Sequence, residues 1–506
     1  MKEIVKILPE DVHNRELISQ VHPKDWKNPE PASIYNLVVV GAGTAGLVAA
    51  LGGASLGARV ALVERYLLGG DCLNFGCVPS KAIIRSSRVI GEVWESKDRG
   101  INIIDDSVNV DFALVMERMR RLRAQIGHHD SVARMKSQGI DVFLGDPRFR
   151  DRHSLEVDGK ILSFKKAVIA TGGRPVHPPI PGISDAGFLT NETVFSLTER
   201  PETLAVIGGG PIGCELAQAF HRLGSNVTII QRNAQFLPRE DRNAAEHIGK
   251  VFEREGIRCL LNADVKNVTL NEGKKVLYLT AGGKDEKIEA DEILVGVGRI
   301  PNVEDLDLDA AGVEYDGQGV KINAFLQTSN RHIYAAGDVC LDYKFTHMAE
   351  AAARIVVQNA LFIRSKKVSS LIVPWCTFTD PEIAHVGMFE KDVETKGIPV
   401  DTFLIPFKDV DRAILDGEEE GFVKIIVKKG KDKILGATVV ARHAGEMINE
   451  ITLSMVSGKG LKTLIHVIHP YPTQGNAFNK VCGLYYAKKF SPFLQRVLKR
   501  WFAWKR

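Results

Sequence analysis

One arrangement constrains this chain most, and it occurs twice. Ile34-Tyr35-Asn36-Leu37-Val38-Val39-Val40 has the apolar run of a buried strand and leads into Gly41-Ala42-Gly43-Thr44-Ala45-Gly46. A helix rich in Ala and Gly follows, then Arg59-Val60-Ala61-Leu62-Val63-Glu64, a second strand ending in an acid. The same order returns at Thr203-Leu204-Ala205-Val206-Ile207, Gly208-Gly209-Gly210-Pro211-Ile212-Gly213, a helix, and Asn226-Val227-Thr228-Ile229-Ile230. Strand, G-x-G-x-x-G, helix and strand predict a parallel βαβ unit. The first two glycines let the backbone turn and approach a pyrophosphate, the third lets helix and strand pack closely, and an acid after the second strand binds a ribose hydroxyl. Gly41, Gly43, Gly46 and Glu64 therefore predict one dinucleotide site, and Gly208, Gly210 and Gly213 a second. The second unit ends in Gln231-Arg232 instead of an acid. An arginine there holds the 2′-phosphate of NADP, so Arg232, helped by Arg239, favours NADPH, with NADH the alternative.

Directly after the first unit comes Gly69-Gly70-Asp71-Cys72-Leu73-Asn74-Phe75-Gly76-Cys77-Val78-Pro79-Ser80-Lys81. In a straight α-helix an i,i+5 pair rises about 7.5 Å, whereas a disulfide needs Cα atoms about 4.4–6.8 Å apart. Cys72 and Cys77 bridge only if the first turn is distorted, which Gly76 and Pro79 permit. A helix N-terminus lowers a thiol pKa, and the thiolate is the reactive form. Zinc sites use closer cysteine pairs, and usually two of them. His128-His129 do not share a helix face, so no residue set reads as a metal site. A redox-active disulfide is favoured over a metal pair.

This stretch resembles the redox motif of the FAD-dependent pyridine nucleotide–disulfide oxidoreductases, the class that includes dihydrolipoamide dehydrogenase, glutathione reductase and mercuric reductase. It departs at Asp71, where many members carry Thr; an acid beside Cys72 raises the thiol pKa unless something pairs with it. The resemblance implies FAD at the first dinucleotide site and NADPH at the second. It implies Cys77 as the thiolate in charge-transfer contact with flavin and Cys72 as the outward interchange thiol. Lys81 and Glu215 match the Lys–Glu pair at the flavin N5 edge; a buried Lys needs such a partner. Gly70, Thr171 and Gly172 of Ala170-Thr171-Gly172-Gly173, Gly298 of Gly296-Val297-Gly298-Arg299, Asp338 of Gly337-Asp338, and Thr346-His347 match its cofactor-contacting segments.

The 506 residues suffice for three domains of ordinary size, and 44% apolar with 25% charged residues is ordinary for a soluble protein. A formal charge of +4 is too small to argue for nucleic acid. No run approaches the roughly 18 apolar residues of a transmembrane span, and the start does not read as a secretory signal. Seven cysteines, without small-secreted-protein spacing, suggest a reducing, cytoplasmic compartment with one working pair. The expected fold class is α/β: two nested Rossmann-like domains for FAD and NAD(P), plus a C-terminal α+β dimerisation domain. Residues 1–33 read as a linker or surface-hugging arm, 34–182 with 300–369 as the FAD domain, 183–299 as the NAD(P) domain, 370–486 as the interface domain, and 487–506 as a basic amphipathic tail. The family forms homodimers whose active sites are shared between subunits.

Glutathione and lipoamide enzymes close with His-Pro-x-x-x-Glu, the His acting as acid–base partner of the attacking thiol. This chain has His469-Pro470-Tyr471-Pro472-Thr473-Gln474-Gly475-Asn476. Aligning on Pro-Thr puts Tyr471 at the base position and Asn476 at the Glu position; aligning on His469-Pro470 puts Gln474 where Glu belongs. A Tyr with pKa near 10 is a poor proton acceptor at pH 7, though it can hydrogen-bond a thiolate or donate a proton. Tyr471, with His469 nearby, is the expected contribution of the other subunit. Similarity is greatest to the mercuric reductase branch, which also carries Pro-Tyr here, but the adjacent cysteines that deliver Hg(II) in that branch are not matched; the last cysteine is Cys482. The expectation is an enzyme passing electrons from NADPH through FAD and Cys72–Cys77 to Hg(II) or another soft metal. The alternatives are reduction of a disulfide or other small acceptor, and a non-enzymatic redox sensor at the membrane.

In the tail, Phe493, Leu494, Val497, Leu498, Trp501 and Trp504 fall on one helical face, while Arg496, Lys499, Arg500, Lys505 and Arg506 supply basic charge. That is the pattern of an interfacial membrane helix over 490–506, peripheral on the inner membrane surface; a helix docked on the protein's own surface is the alternative.

Overall fold

The computed structural model describes residues 6–103 and 108–506. Seven strands build its largest sheet, in the order Ile140–Leu144, Val60–Glu64, Tyr35–Val40, Lys160–Ile169, Ser154–Val157 and Pro147–Asp151, with Ile333–Ala335 also beside Lys160–Ile169. Tyr35–Val40 runs parallel to both neighbours, with Val38 opposite Ala61 and Ala167. Its Leu37, Val38, Val39 and Val40 are fully buried, as a continuous apolar run in a two-sided parallel sheet must be. Helix Thr44–Ser55 packs against helix Thr346–Leu361. Small residues permit this: a Cβ on Gly52 would lie 3.3 Å from the Val357 side chain. Strand Ile333–Ala335 reaches this sheet only after the chain has built the second nucleotide unit.

That second unit is a parallel sheet in the order Arg258–Leu260, Asn226–Ile230, Thr203–Ile207 and Glu292–Val295, with helix Pro211–Arg222 crossing from Thr203–Ile207 to Asn226–Ile230. A three-stranded antiparallel sheet, Ala263–Asn271, Lys274–Ala281 and Lys284–Ala290, flanks it.

Gln235–Gly256 and Ile372–Arg506 form a compact unit separate from the rest of the described chain. Its five-stranded antiparallel sheet has the order Pro374–Thr377, Glu382–Gly387, Ile434–Ala441, Phe422–Lys428 and Val400–Pro406. Val423, Ile425, Val439, Ile448 and Phe478 fill its core, drawn from sheet strands and helices Ala444–Val456 and Asn476–Lys489. Buried Lys424 pairs with Asp241 at 2.6 Å, tying the sheet to helix Arg242–Glu255. The tail forms helix Pro492–Trp504. Among the described residues no helix is long and apolar enough to cross a membrane.

The N-terminal arm is more built in than its polar, Pro-rich sequence suggests. Residues Val12–Val21 form a helix capped by Asp11, with Asn14, Leu17 and Val21 buried. His22 hydrogen-bonds the Tyr66 carbonyl. Beyond it, Trp26 Nε1 donates to Val142 O at 3.3 Å, Asn28 Nδ2 donates to Leu144 O at 2.8 Å, and Leu144 N donates to Asn28 Oδ1 at 2.7 Å. The arm thus pairs with Ile140–Leu144, the outer strand of the large sheet.

Candidate active site

The two cysteines lie on separate helices. Cys72 is in the short helix Gly70–Asn74, and Cys77 is the first residue of helix Cys77–Trp94. Gly76, between them, has φ −132° and ψ −113°, so the chain breaks there. The rise of an unbroken helix does not apply, which removes the geometric objection to a bridge. A Cβ at Gly76 would meet Asp71 O at 2.9 Å. Both sulfurs are thiols here, Cys72 half-buried and Cys77 exposed.

Their electrostatics differ. Hydrogen bonding with the Cys72 thiol, joined by the Thr346 hydroxyl and the Lys81 charge, outweighs burial and holds Cys77 down at about 6. Its Sγ lies 3.3 Å from Thr346 Oγ1. The same Cys72–Cys77 hydrogen bond, with burial, pushes Cys72 well up. Reduced, the pair therefore holds one thiolate, at Cys77, and one protonated thiol at neutral pH.

Lys81 is one turn along the same helix. Its Nζ donates to Glu215 Oε2 at 2.7 Å, and Glu215 is buried on helix Pro211–Arg222. Glu215 is the buried partner, while the Lys81 side chain keeps 35% of its surface exposed, so solvent screens the pair from one side.

Asp71 is paired after all. Its Oδ1 accepts from Asn191 Nδ2 at 2.9 Å, and its Oδ2 lies 3.4 Å from Arg299 Nη1. Arg299 also stands 3.4 Å from Asp338 and donates to Gly173 O at 2.6 Å. Burial opposes the Arg299 charge, but Asp71, Asp338 and Glu192 outweigh it and hold the guanidinium above its usual range. Asp338 is itself pushed up by burial. Neither Arg299 nor Asn191 stood out in sequence; an acid at Asp71 was the only hint that a cation must come near.

A second arginine, Arg123, is fully buried and also holds the redox loop. Arg123 Nη1 donates to Asn74 O at 2.7 Å, and Nη2 donates to Asn14 Oδ1 at 2.7 Å. Burial lowers Arg123 to about 10. The N-terminal arm is thus linked, through one side chain, to the turn between the cysteines.

The nearby backbone suits a dinucleotide. Gly41 has φ +101°, and a Cβ there would sit 2.4 Å from Ala170 O; a Cβ on Gly46 would sit 1.7 Å from Gly41 O. A Cβ on Gly70 would sit 2.6 Å from Gly43 Cα, so these two glycine backbones approach as a bulkier pair could not. Glu64 accepts from Ala42 N at 2.6 Å and Tyr66 N at 2.8 Å, and burial raises its pKa. A pocket lined by Gly41, Glu64, Arg65, Thr171 and Asn302 opens beside it. Thr171 Oγ1 donates to Asn302 O at 2.7 Å, and Asn302 N donates to Gly172 O at 3.0 Å. Thr346 begins its helix against Cys77, and His347 stacks on Phe345 with centroids 5.3 Å apart. With the Lys81–Glu215 pair beside the thiols, these residues fit FAD.

The second nucleotide turn repeats the first. Gly208 has φ +111°, and a Cβ on Gly213 would sit 1.9 Å from Gly208 O. Gly210 caps helix Pro211–Arg222. Gly298 follows strand Glu292–Val295, its carbonyl accepting from Val176 N at 3.0 Å. Gln231 is buried, its Oε1 accepting from Gly209 N at 2.9 Å, while Arg232 is exposed.

In the separate C-terminal unit, His469 Nε2 lies 3.1 Å from Glu450 Oε2. Glu450 is on helix Ala444–Val456, too far from His469 in sequence for the short motif to reveal. Tyr471 is exposed and its hydroxyl donates to Asp411 Oδ2 at 3.1 Å, which raises its pKa.

The family model described as pyridine nucleotide-disulphide oxidoreductase matches residues 35–353, and the model for that family's dimerisation domain matches 373–482. A mercuric reductase of Staphylococcus aureus is 35% identical over 458 residues, covering 90% of this chain and 83% of that protein. A dihydrolipoyl dehydrogenase of Geobacillus stearothermophilus is 33% identical over 444 residues, covering 87% of this chain and 93% of that one. Among solved structures, the Cu(II) complex of the HOCl-induced flavoprotein disulfide reductase RclA from Escherichia coli superposes with a TM-score of 0.79 at 29% identity, covering 90% of this chain and all of that one. The α/β fold, the paired cysteines and the two nucleotide turns agree with these matches: the chain belongs to the pyridine nucleotide-disulphide oxidoreductases, enzymes that use FAD and NAD(P)H and carry a dimerisation domain.

Proposed function

We propose that this enzyme passes electrons from NADPH through FAD to Cys72–Cys77 and on to a soft metal ion, Hg(II) in the first instance. The carrying observation is Tyr471. Its hydrogen bond to Asp411 raises its pKa, so it is a neutral donor at pH 7 and not a base. A soft metal needs thiolates and no proton, so a neutral Tyr471 suits it, while His469 held by Glu450 keeps a base available for a thiol substrate. The similarity to mercuric reductases supports the same reading. Residues 34–182 with 300–369 would bind FAD, 183–299 would bind NADPH, and 370–486 would form the homodimer interface.

Bound FAD would accept hydride from NADPH and supply two electrons to the thiol pair. The net exchange is NADPH and Hg(II) giving NADP⁺, Hg(0) and a proton. Cys72 would meet the acceptor, and the Cys77 thiolate would face the flavin, steadied by Thr346 and Lys81. Lys81–Glu215 would place a cation near flavin N5, favouring its reduced form. Tyr471, with His469 near it, would complete the site from the partner subunit.

A second reading, reduction of a small disulfide or other small acceptor, is favoured by one observation: His469 pairs with Glu450 at 3.1 Å, the orientation a proton-transferring base needs. In either reading the enzyme would work in the cytoplasm, with 490–506 touching the inner membrane surface.

NADPH consumption with Hg(II) held in excess small thiol tests the proposal. Rapid turnover that vanishes in Cys72→Ala is expected. Prompt flavin reduction without Hg(II)-dependent turnover would sink the metal reading and leave the second.

A further inference from the structure

We infer that helix Pro492–Trp504 docks on an anionic phospholipid surface, its aromatic arc in the headgroup–acyl boundary and its basic arc among the phosphates. This rests on the membrane contact proposed above and gives that contact a chemistry.

The helix is locally specified. Ser491 Oγ accepts from Leu494 N at 3.2 Å, and Pro492 occupies the first turn, where its missing N–H costs nothing. Yet none of its residues is buried; Trp501 is 48% exposed and Trp504 77%. The expectation of docking on the chain's own surface is therefore not met within this unit. At 3.6 residues per turn, Phe493, Trp504, Val497, Trp501, Leu494 and Leu498 fill one side, and Arg496, Lys499 and Arg500 the other. The Trp501 and Trp504 rings lie 5.5 Å apart, and Lys505 Nζ sits 5.1 Å from the Trp501 centroid. Tryptophans beside basic residues suit a lipid interface. Thirteen residues span about 20 Å, short of the roughly 30 Å hydrocarbon core, so the helix lies on the bilayer.

Charge selects the surface. No acidic residue follows Glu450, so nothing in this stretch offsets Arg496, Lys499, Arg500, Lys505 and Arg506. A second copy laid on the helix would oppose like charges, which disfavours self-pairing. An anionic leaflet instead attracts each Lys or Arg, raising affinity about fivefold per residue.

The test is co-sedimentation of the full-length holoenzyme with vesicles of phosphatidylcholine alone or mixed with phosphatidylglycerol. Binding to the mixed vesicles only is expected, with release at about 1 M salt. Replacing Arg496, Lys499 and Arg500 with Gln should weaken it on the order of a hundredfold. Val497→Asp, in the middle of the apolar arc, should abolish it while NADPH-driven flavin reduction is retained. Equal binding to both vesicles would overturn the anionic inference but leave membrane contact standing. Binding to neither, with an oligomer that Val497→Asp splits, would overturn both and assign the helix to a second copy.

Discussion

The two nucleotide units share a backbone and part company at one side chain. Gly41 N donates to Val63 O at 2.8 Å, and Gly208 N donates to Ile230 O at 2.9 Å. Gly46 and Gly213 crowd the first glycine carbonyl to nearly the same degree. After the second strand, Glu64 accepts the Ala42 N–H and Gln231 accepts the equivalent Gly209 N–H. Both are followed by arginine, Arg65 and Arg232. Arginine is thus common to the two sites; what distinguishes the second is a carboxylate replaced by an amide. A phosphate at that corner would meet repulsion in the first unit and none in the second. The proposed preference for NADPH would then rest as much on Gln231 as on Arg232.

The largest effects should come from the shared glycines. Gly46→Ala places a methyl 1.7 Å from Gly41 O, so purified protein should carry no flavin by absorbance. Gly213→Ala, with the methyl 1.9 Å from Gly208 O, should leave the protein yellow but slow NADPH-driven reduction about a hundredfold or more. Flavin retained in the first variant would break the equivalence of the units. Next, Gln231→Glu should restore the acid and move the ratio of kcat/KM for NADPH over NADH toward NADH on the order of thirtyfold, whereas an unchanged ratio would return the whole preference to Arg232.

Between the units, Lys81 of the redox helix meets Glu215 of the second. Because Cys77 is held at about 6, its thiolate is present above that pH and is lost as pH falls through it. Thiolate ultraviolet absorbance of the reduced protein should titrate there, and Lys81→Met should move the midpoint up by roughly one unit. No movement would mean that Cys72 and Thr346 alone set it. The smallest effect belongs to the arm, whose described hydrogen bonds reach the first unit. Asn14→Ala should lower stability by about 1 kcal/mol in denaturant melts monitored by flavin fluorescence, and leave the NADPH preference unchanged.

What could be read beforehand was local. Glycine spacing, strand patterns and the cysteine stretch each lie within a short window, and their chemistry follows from spacing alone. Lys81 and Glu215 are far apart in sequence, and only the family resemblance joined them. Arg299 with Asp71, Glu450 with His469, and Arg123 with Asn14 had no such guide. They are single polar residues on different elements, with no periodicity to announce them. The break at Gly76 was half legible: the disulfide distance demanded a distortion, but not two separate helices. The arm was underestimated because its polarity resembles a linker, whereas Asn14 and Asn28 spend that polarity on buried backbone and guanidinium groups.

Asn28 has a consequence beyond the site. Strand Ile140–Leu144 ends the large sheet, and the end of a sheet offers N–H and C=O groups to any extended chain that meets it. Asn28 engages both groups of Leu144, and Trp26 takes the Val142 carbonyl. A side-chain amide thus does the work of a further strand without creating a new open edge. The arm thereby covers part of an edge open to pairing, and a chain shortened past Asn28 is expected to turn cloudy on storage before it loses its flavin.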